Sequence, residues 1–95
     1  MKAASAEVAH RLEDIPNIGP SIADDLRALD IFEPAQLRGQ DPYELYRLSN
    51  LRAGAEQDPC LCDTFIAAVR FMEGGPARPW WYYTDERKRE LGKKK

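Results

Sequence analysis

Histidine and cysteine are scarce in this 95-residue chain, with one and two copies respectively, and that scarcity narrows the chemistry at once. A structural zinc site takes four ligands, and His10 lies far in sequence from Cys60 and Cys62, so neither a metal nor a cofactor is expected. Enzyme chemistry is unsupported on the same ground, because no nucleophile has a base at a usable spacing. The pairs Glu13-Asp14 and Asp24-Asp25 read as solvated faces at helix ends, and His10 as a surface or half-buried residue. Cys60 and Cys62 stand two positions apart in a stretch with helical patterning. Residues i and i+2 of a helix face different ways, so both thiols are expected to stay reduced, with Cys62 in the core. No apolar run approaches the roughly 20 residues that cross a bilayer. The opening MKAASAEVAH has no apolar segment of roughly 7 to 15 residues such as a signal peptide carries. A cytoplasmic monomer without membrane attachment is the expectation. Strand-like alternation of apolar and polar residues is missing as well, which points to an all-α fold.

Proline supplies the positive signal. Proline suits the first position of a helix, where no backbone N–H is needed, and four of the seven prolines follow a plausible cap. These are Pro20 after Gly19, Pro34 after Glu33, Pro42 after Asp41 and Pro59 after Asp58. Apolar spacing agrees: Ile22, Leu26 and Leu29 recur after Pro20, Leu45 and Leu48 after Pro42, and Cys62, Phe65, Ile66, Val69 and Met72 after Pro59. A first helix is expected over residues 5–13 through Val8 and Leu12, a short turn over Pro34 to Leu37 stopped by Gly39, and a helix from Pro42 to about Leu51. The whole reads as a compact bundle of about five short helices closed by Gly74-Gly75. The extended segment PARPWWYYT and a charged end of frayed helix or disorder follow. The expected organisation is a helical domain over 1–75, an aromatic segment over 76–84 that packs on it, and a charged tail over 85–95.

Charge is unevenly shared. Residues 1–79 hold eight Lys/Arg against thirteen Asp/Glu, and residues 80–95 hold six against three, so a body of −5 carries a tail of +3. Any attraction to a polyanion must come from a local site or from the tail.

The stretch IPNIGPSIADDLRALDI, residues 15–31, places a tight reversal between two helical stretches. Pro16 ends the first, because the residue before a proline leaves the α region, Gly19 is free to take the unusual backbone angles of the reversal, and Pro20 starts the second. The start of that second helix leaves backbone N–H groups, chiefly of Gly19 and Ser21, directed where a phosphate oxygen could sit. This pattern resembles the helix-hairpin-helix motif of SAM-like domains, in which Gly-hydrophobic-Gly makes the turn. Asn17, Ile18 and Gly19 stand at those positions here. The continuation IFEPAQLRGQDPYELYRLS is similar to the second half of domains akin to the C-terminal domain of the RNA polymerase α-subunit, and to that of competence regulators. DPCLCDTFIAAVRFMEGGPARPWWYYT resembles a small bacterial family of pathogenicity-locus or mitomycin-resistance-like proteins, so the resemblance spans residues 11–84. It implies weak, sequence-independent binding of DNA backbone by Asn17, Ile18, Gly19 and Ser21, with Arg11 and Arg27 beside them and Arg47 and Arg52 further off. A role accessory to DNA repair or stress resistance follows from it. Asp24 and Asp25 oppose that reading, since a carboxylate 4 Å from a phosphate costs about 1 kcal/mol or more.

PWWYYT gathers four of the nine aromatic residues. Buried aromatic rings remove roughly 150 to 250 Å² each, so the segment is expected to clasp the helices. In an extended chain Trp80 and Tyr82 would share one face and Trp81 and Tyr83 the other. Rings left outside, Trp80 and Trp81 foremost, could stack on bases beside Arg87, Lys88 and Arg89. The alternative is an adaptor that docks a protein partner through its acidic helical surface or this aromatic tail.

Overall fold

A computed structural model describes residues 2–92. Each proline start is realised. Helix α1 spans Pro20–Arg27, α2 Pro42–Ala53 and α3 Pro59–Met72, each with proline in its first turn, and Pro34–Leu37 forms a 3-10 turn that also opens on proline. Asp41 and Asp58 cap α2 and α3 by accepting from the amides of Tyr43 and Cys60, each at 2.9 Å. Helix α4 spans Thr84–Gly92, and further 3-10 turns occupy Ala6–Val8, Leu12–Asp14 and Trp80–Tyr83. The described residues contain no strand. The class is all-α, with four α-helices and four 3-10 turns among the described residues where about five helices are expected.

Helix α3 is the axis of the fold. Residues 62–69 are all buried, as are Phe71 and Met72, so its partners surround it: α2, α4, the Pro34–Leu37 turn and the Trp80–Tyr83 turn. Cys62, Phe65, Ile66, Val69 and Met72 form its core stripe as expected, and both cysteines are free. At its end Gly74 takes φ +98 while the amides of Gly74 and Gly75 donate to the carbonyls of Phe71 and Arg70 at 3.0 and 2.9 Å. A Cβ on Gly75 would come within 2.9 Å of the Arg70 carbonyl oxygen, so the chain leaves the helix too close for a side chain there.

Two expectations fail near the N-terminus and in α2. No helix runs over 5–13. The amides of His10 and Arg11 donate to the Asp14 carboxylate, both at 3.0 Å, and Ala9 and Arg11 are extended. A short acidic side chain competes here with the helix's own carbonyls. The buried residues are Ala6, Ala9, Leu12, Ile15 and Ile18, while Val8 is exposed. That spacing of three suits 3-10 turns joined by extended links, and a 3.6-residue template misses it. In α2 the inward face is Leu45, Tyr46 and Ser49, and Leu48 points outward.

The C-terminal expectations change as well. PWWYYT is a 3-10 turn, not an extended segment: the Tyr82 amide donates to the Pro79 carbonyl at 3.0 Å and the Thr84 amide to that of Trp81. The two-by-two sorting of rings falls with it. Tyr83 is buried and Trp80 half-buried, whereas Trp81 and Tyr82 are 62% and 55% exposed. Residues 85–92 of the charged stretch are helical, and residues 93–95 lie outside the described residues. Asp63, fully buried in α3, accepts from Thr84 Oγ1 at 2.7 Å and from Arg87 Nε at 2.8 Å, which anchors α4. Arg87 is therefore an internal cation, not a charge displayed beside the rings. Glu86 adds a second tie, accepting from Arg70 at 2.8 Å and from the Tyr43 hydroxyl at 2.7 Å. Burial and the Glu86 carboxylate hold the Tyr43 phenol well above its ordinary pKa.

Candidate functional site

The hairpin reversal is built differently from the glycine-centred version. Asn17 takes the left-handed conformation, φ 74, while Gly19 is extended at φ −93, ψ −178 and serves as the N-cap of α1. Asparagine enters that region more readily than other side chains do. The first backbone bond of α1 runs from the Ala23 amide to the Gly19 carbonyl at 2.9 Å, so the amides before it have no acceptor within the helix. A Cβ built on Gly19 meets nothing within 4 Å. The approach to this helix start is open, and Ser21 beside it is exposed.

The other residues expected at this site fall into distinct settings. Ile18 is wholly buried, which confines its share of any surface to its backbone. Its carbonyl already accepts from the Lys2 ammonium, which also reaches the Glu13 carbonyl at 2.7 Å. Arg11 projects outward, 73% exposed, and lies 3.8 Å from Asp14. Asp14 sits below the usual carboxylate range because the amides of Arg11 and His10 favour its charged form. Arg27 grips both oxygens of Glu13 at 2.8 and 2.9 Å and one of Asp24 at 2.9 Å. This holds Glu13 below, and Arg27 above, their ordinary pKa values. Burial and the neighbouring Asp24 charge push Asp25 up. Arg47 pairs with Glu44 along α2, and Arg52 is exposed near that helix's end.

A contact that sequence spacing does not reveal joins this reversal to the aromatic turn. Asn17 Nδ2 donates to the Arg78 carbonyl at 2.8 Å. The Arg78 guanidinium lies 4.1 Å from the centroid of the Tyr82 ring. Trp81 stands edge-on to Trp80, with ring centroids 5.5 Å apart, and Tyr82 likewise meets Tyr83 at 5.1 Å. The two stretches singled out in the sequence thus meet at one edge of the molecule. Asn17 alone carried a signal, its tolerance of positive φ, and its side chain supplies the link. Elsewhere, a groove of about 470 Å³ between α2 and α4 is lined by residues that include Tyr43, Tyr46, Arg47, Arg87 and Leu91, and it shares no residue with the reversal. Among the described residues no group of three or more His, Cys, Asp or Glu side chains is placed to hold a metal. None of the described helices is long and apolar enough to cross a membrane.

An all-helical domain with an open helix start fastened to an aromatic turn is the class these observations define. The chain belongs to the pathogenicity-locus (Cdd1) family, whose model matches residues 5–89. It is 50% identical to the mitomycin resistance protein McrB of Streptomyces lavendulae over 80 residues, which cover 84% of this chain and 76% of the relative. No solved structure matches.

Proposed function

We propose that this protein is a non-catalytic, monomeric, cytoplasmic factor that binds DNA backbone without reading sequence and is accessory to DNA repair or stress resistance. The resistance part rests on the relative named for resistance to mitomycin. The binding part rests on one observation: the Asn17 side chain donates to the Arg78 carbonyl, which ties the reversal that opens α1 to the segment carrying the Arg78 cation and the exposed rings. Oriented N–H groups and the helix dipole favour a phosphate oxygen there. The acidic body limits strength, so dissociation constants of ~10⁻⁴ to 10⁻⁶ M and a steep fall with salt are expected.

Gly19→Ala tests this directly. Its backbone angles suit alanine and the new methyl meets no protein atom, so stability should change by no more than about 1 kcal/mol from the poorer cap. The methyl would stand over the open amides and should weaken oligonucleotide binding in an NMR titration. Unchanged affinity, or amide shifts that avoid residues 17–21, would overturn the reading. Asp24→Lys with Asp25→Lys should instead tighten binding.

A second reading has its own support. Leu48 and Leu51 lie outward one turn apart on α2, and Phe32 is 59% exposed. Such apolar positions on an acidic body suit an adaptor that docks a protein, and that docking would persist at high salt where phosphate binding does not.

A further inference from the structure

We infer that the Arg78–Tyr82 turn and the outer face of α4 form a stacking platform for unpaired nucleotides, so that the protein prefers single-stranded over duplex nucleic acid; this rests on the backbone-binding role proposed above. The inner side of this region is committed. Tyr83 is buried, Thr84 and Arg87 bind Asp63, Glu86 binds Arg70 and Tyr43, and Leu91 packs against the core. What remains outside is Trp81 and Tyr82, then Asp85, Lys88 and Arg89. The period of the helix therefore sorts structural residues inward and leaves rings followed by net positive charge outward.

The rings are also held in place. Trp81 is braced edge-on by Trp80 and Tyr82 by buried Tyr83, while the Arg78 guanidinium lies against Tyr82 at 4.1 Å. Rings fixed in this way lose little freedom on binding. A duplex hides its base faces, whereas an unpaired strand offers them at every step together with a phosphate, and aromatic stacking tolerates any base. Charge separates a strand from an acidic or purely apolar partner. Residues 80–95 carry +3 against −5 for residues 1–79, and the exposed Arg78 and Arg89 outnumber the exposed Asp85 beside the rings, while Lys88 lies toward the groove between α2 and α4. The bond from Asn17 ties the turn proposed above to hold a phosphate to the Arg78 end of the platform.

The test compares an oligo-dT with a duplex of equal length, read by Trp emission and by anisotropy of labelled DNA. The 95-residue chain should bind the single strand more tightly, with emission quenched in Trp80→Phe, which keeps Trp81, and unaltered in Trp81→Phe. Trp81→Ala and Tyr82→Ala should each weaken oligo-dT binding roughly fivefold or more, the lower end of what one stacked base contributes, and leave duplex binding unchanged. Thermal melting of each variant controls for folding, and these exposed sites should melt as the wild type does. Equal affinity for both DNAs with unaltered emission would overturn the platform; continued sensitivity to Gly19→Ala would in that case leave the backbone-binding role standing. Absence of binding to either DNA at millimolar concentration would overturn both. Emission changes that ignore salt would overturn the platform in favour of apolar docking.

Discussion

Among the described residues three arginines reach both oxygens of a carboxylate: Arg47 holds Glu44 along the exposed side of α2, and the other two have surroundings that give them different work. Arg27 holds Glu13 near the hairpin reversal with side chains 36% and 25% exposed. Arg87 holds Asp63 between α4 and α3 with side chains 14% and 0% exposed. Water and salt screen the first pair, so its partners can separate and Arg27 could be lent to a phosphate. The second pair is sealed, and neither charge has anywhere else to go. The same chemical contact is thus a removable restraint at one end of the chain and a structural rivet at the other.

The sharpest way to break this contrast is to remove one half of the rivet. Arg87→Met leaves the Asp63 carboxylate buried without its cation and should cost about 3–5 kcal/mol in urea unfolding, enough to unfold much of a small domain. Asp63→Leu combined with Arg87→Met should recover most of that loss, because two apolar side chains need no charge partner. A single variant as stable as the wild type would show that the pair is no more structural than Arg27 and Glu13.

Cys62 supplies a second test on α3. Burial pushes its thiol up to about 12 from an ordinary value near 9. The folded protein therefore keeps the thiol neutral where the unfolded chain ionises it. That contribution is complete below pH ~9 and is lost as the pH rises from about 9 to about 12. Cys62→Ala should cost roughly 0.5–3 kcal/mol and Cys60→Ala less, and a bulky thiol reagent should label Cys62 only on unfolding. Rapid native labelling of Cys62 would contradict its burial.

The smallest effect on stability belongs to the hairpin. Glu13→Gln frees one side of Arg27 and should leave the melting temperature almost unmoved while strengthening oligonucleotide binding at low salt. A large drop in melting temperature would make the Arg27 pair a second rivet and erase the distinction.

Much of this architecture is legible in the chain because proline acts locally. Pro20, Pro34, Pro42 and Pro59 announce their elements whatever packs against them, and the stripe from Cys62 to Met72 declares the central helix. Features that depend on distant partners are not legible. The turn in PWWYYT forms where the following residues dock on Asp63, and that carboxylate is 21 positions before Thr84 and 24 before Arg87. The missing first helix has a local cause, the Asp14 carboxylate drawing in the amides of His10 and Arg11. Its buried residues recur every third position, from Ala6 to Ile18, and a search tuned to α-helical spacing passes over them. At the candidate site, Gly19 and Ser21 could be named from their neighbours in the chain. The meeting with Arg78 depends on a bond across 61 positions.

The encirclement of α3 also sets a hierarchy of motions. Amides of a helix enclosed on every side reach solvent only when the whole domain opens, so hydrogen exchange from residues 63–72 should report global unfolding. Helix α1, eight residues long and partly open along its flank, should exchange through local fraying much sooner. Helix α4 should break the rule that a short, polar terminal helix frays first. Its middle amides should be protected nearly as long as those of α3, because releasing them means pulling Arg87 away from Asp63. One buried carboxylate would in this way make α3 and α4 a single cooperative unit, leaving the hairpin free to fluctuate.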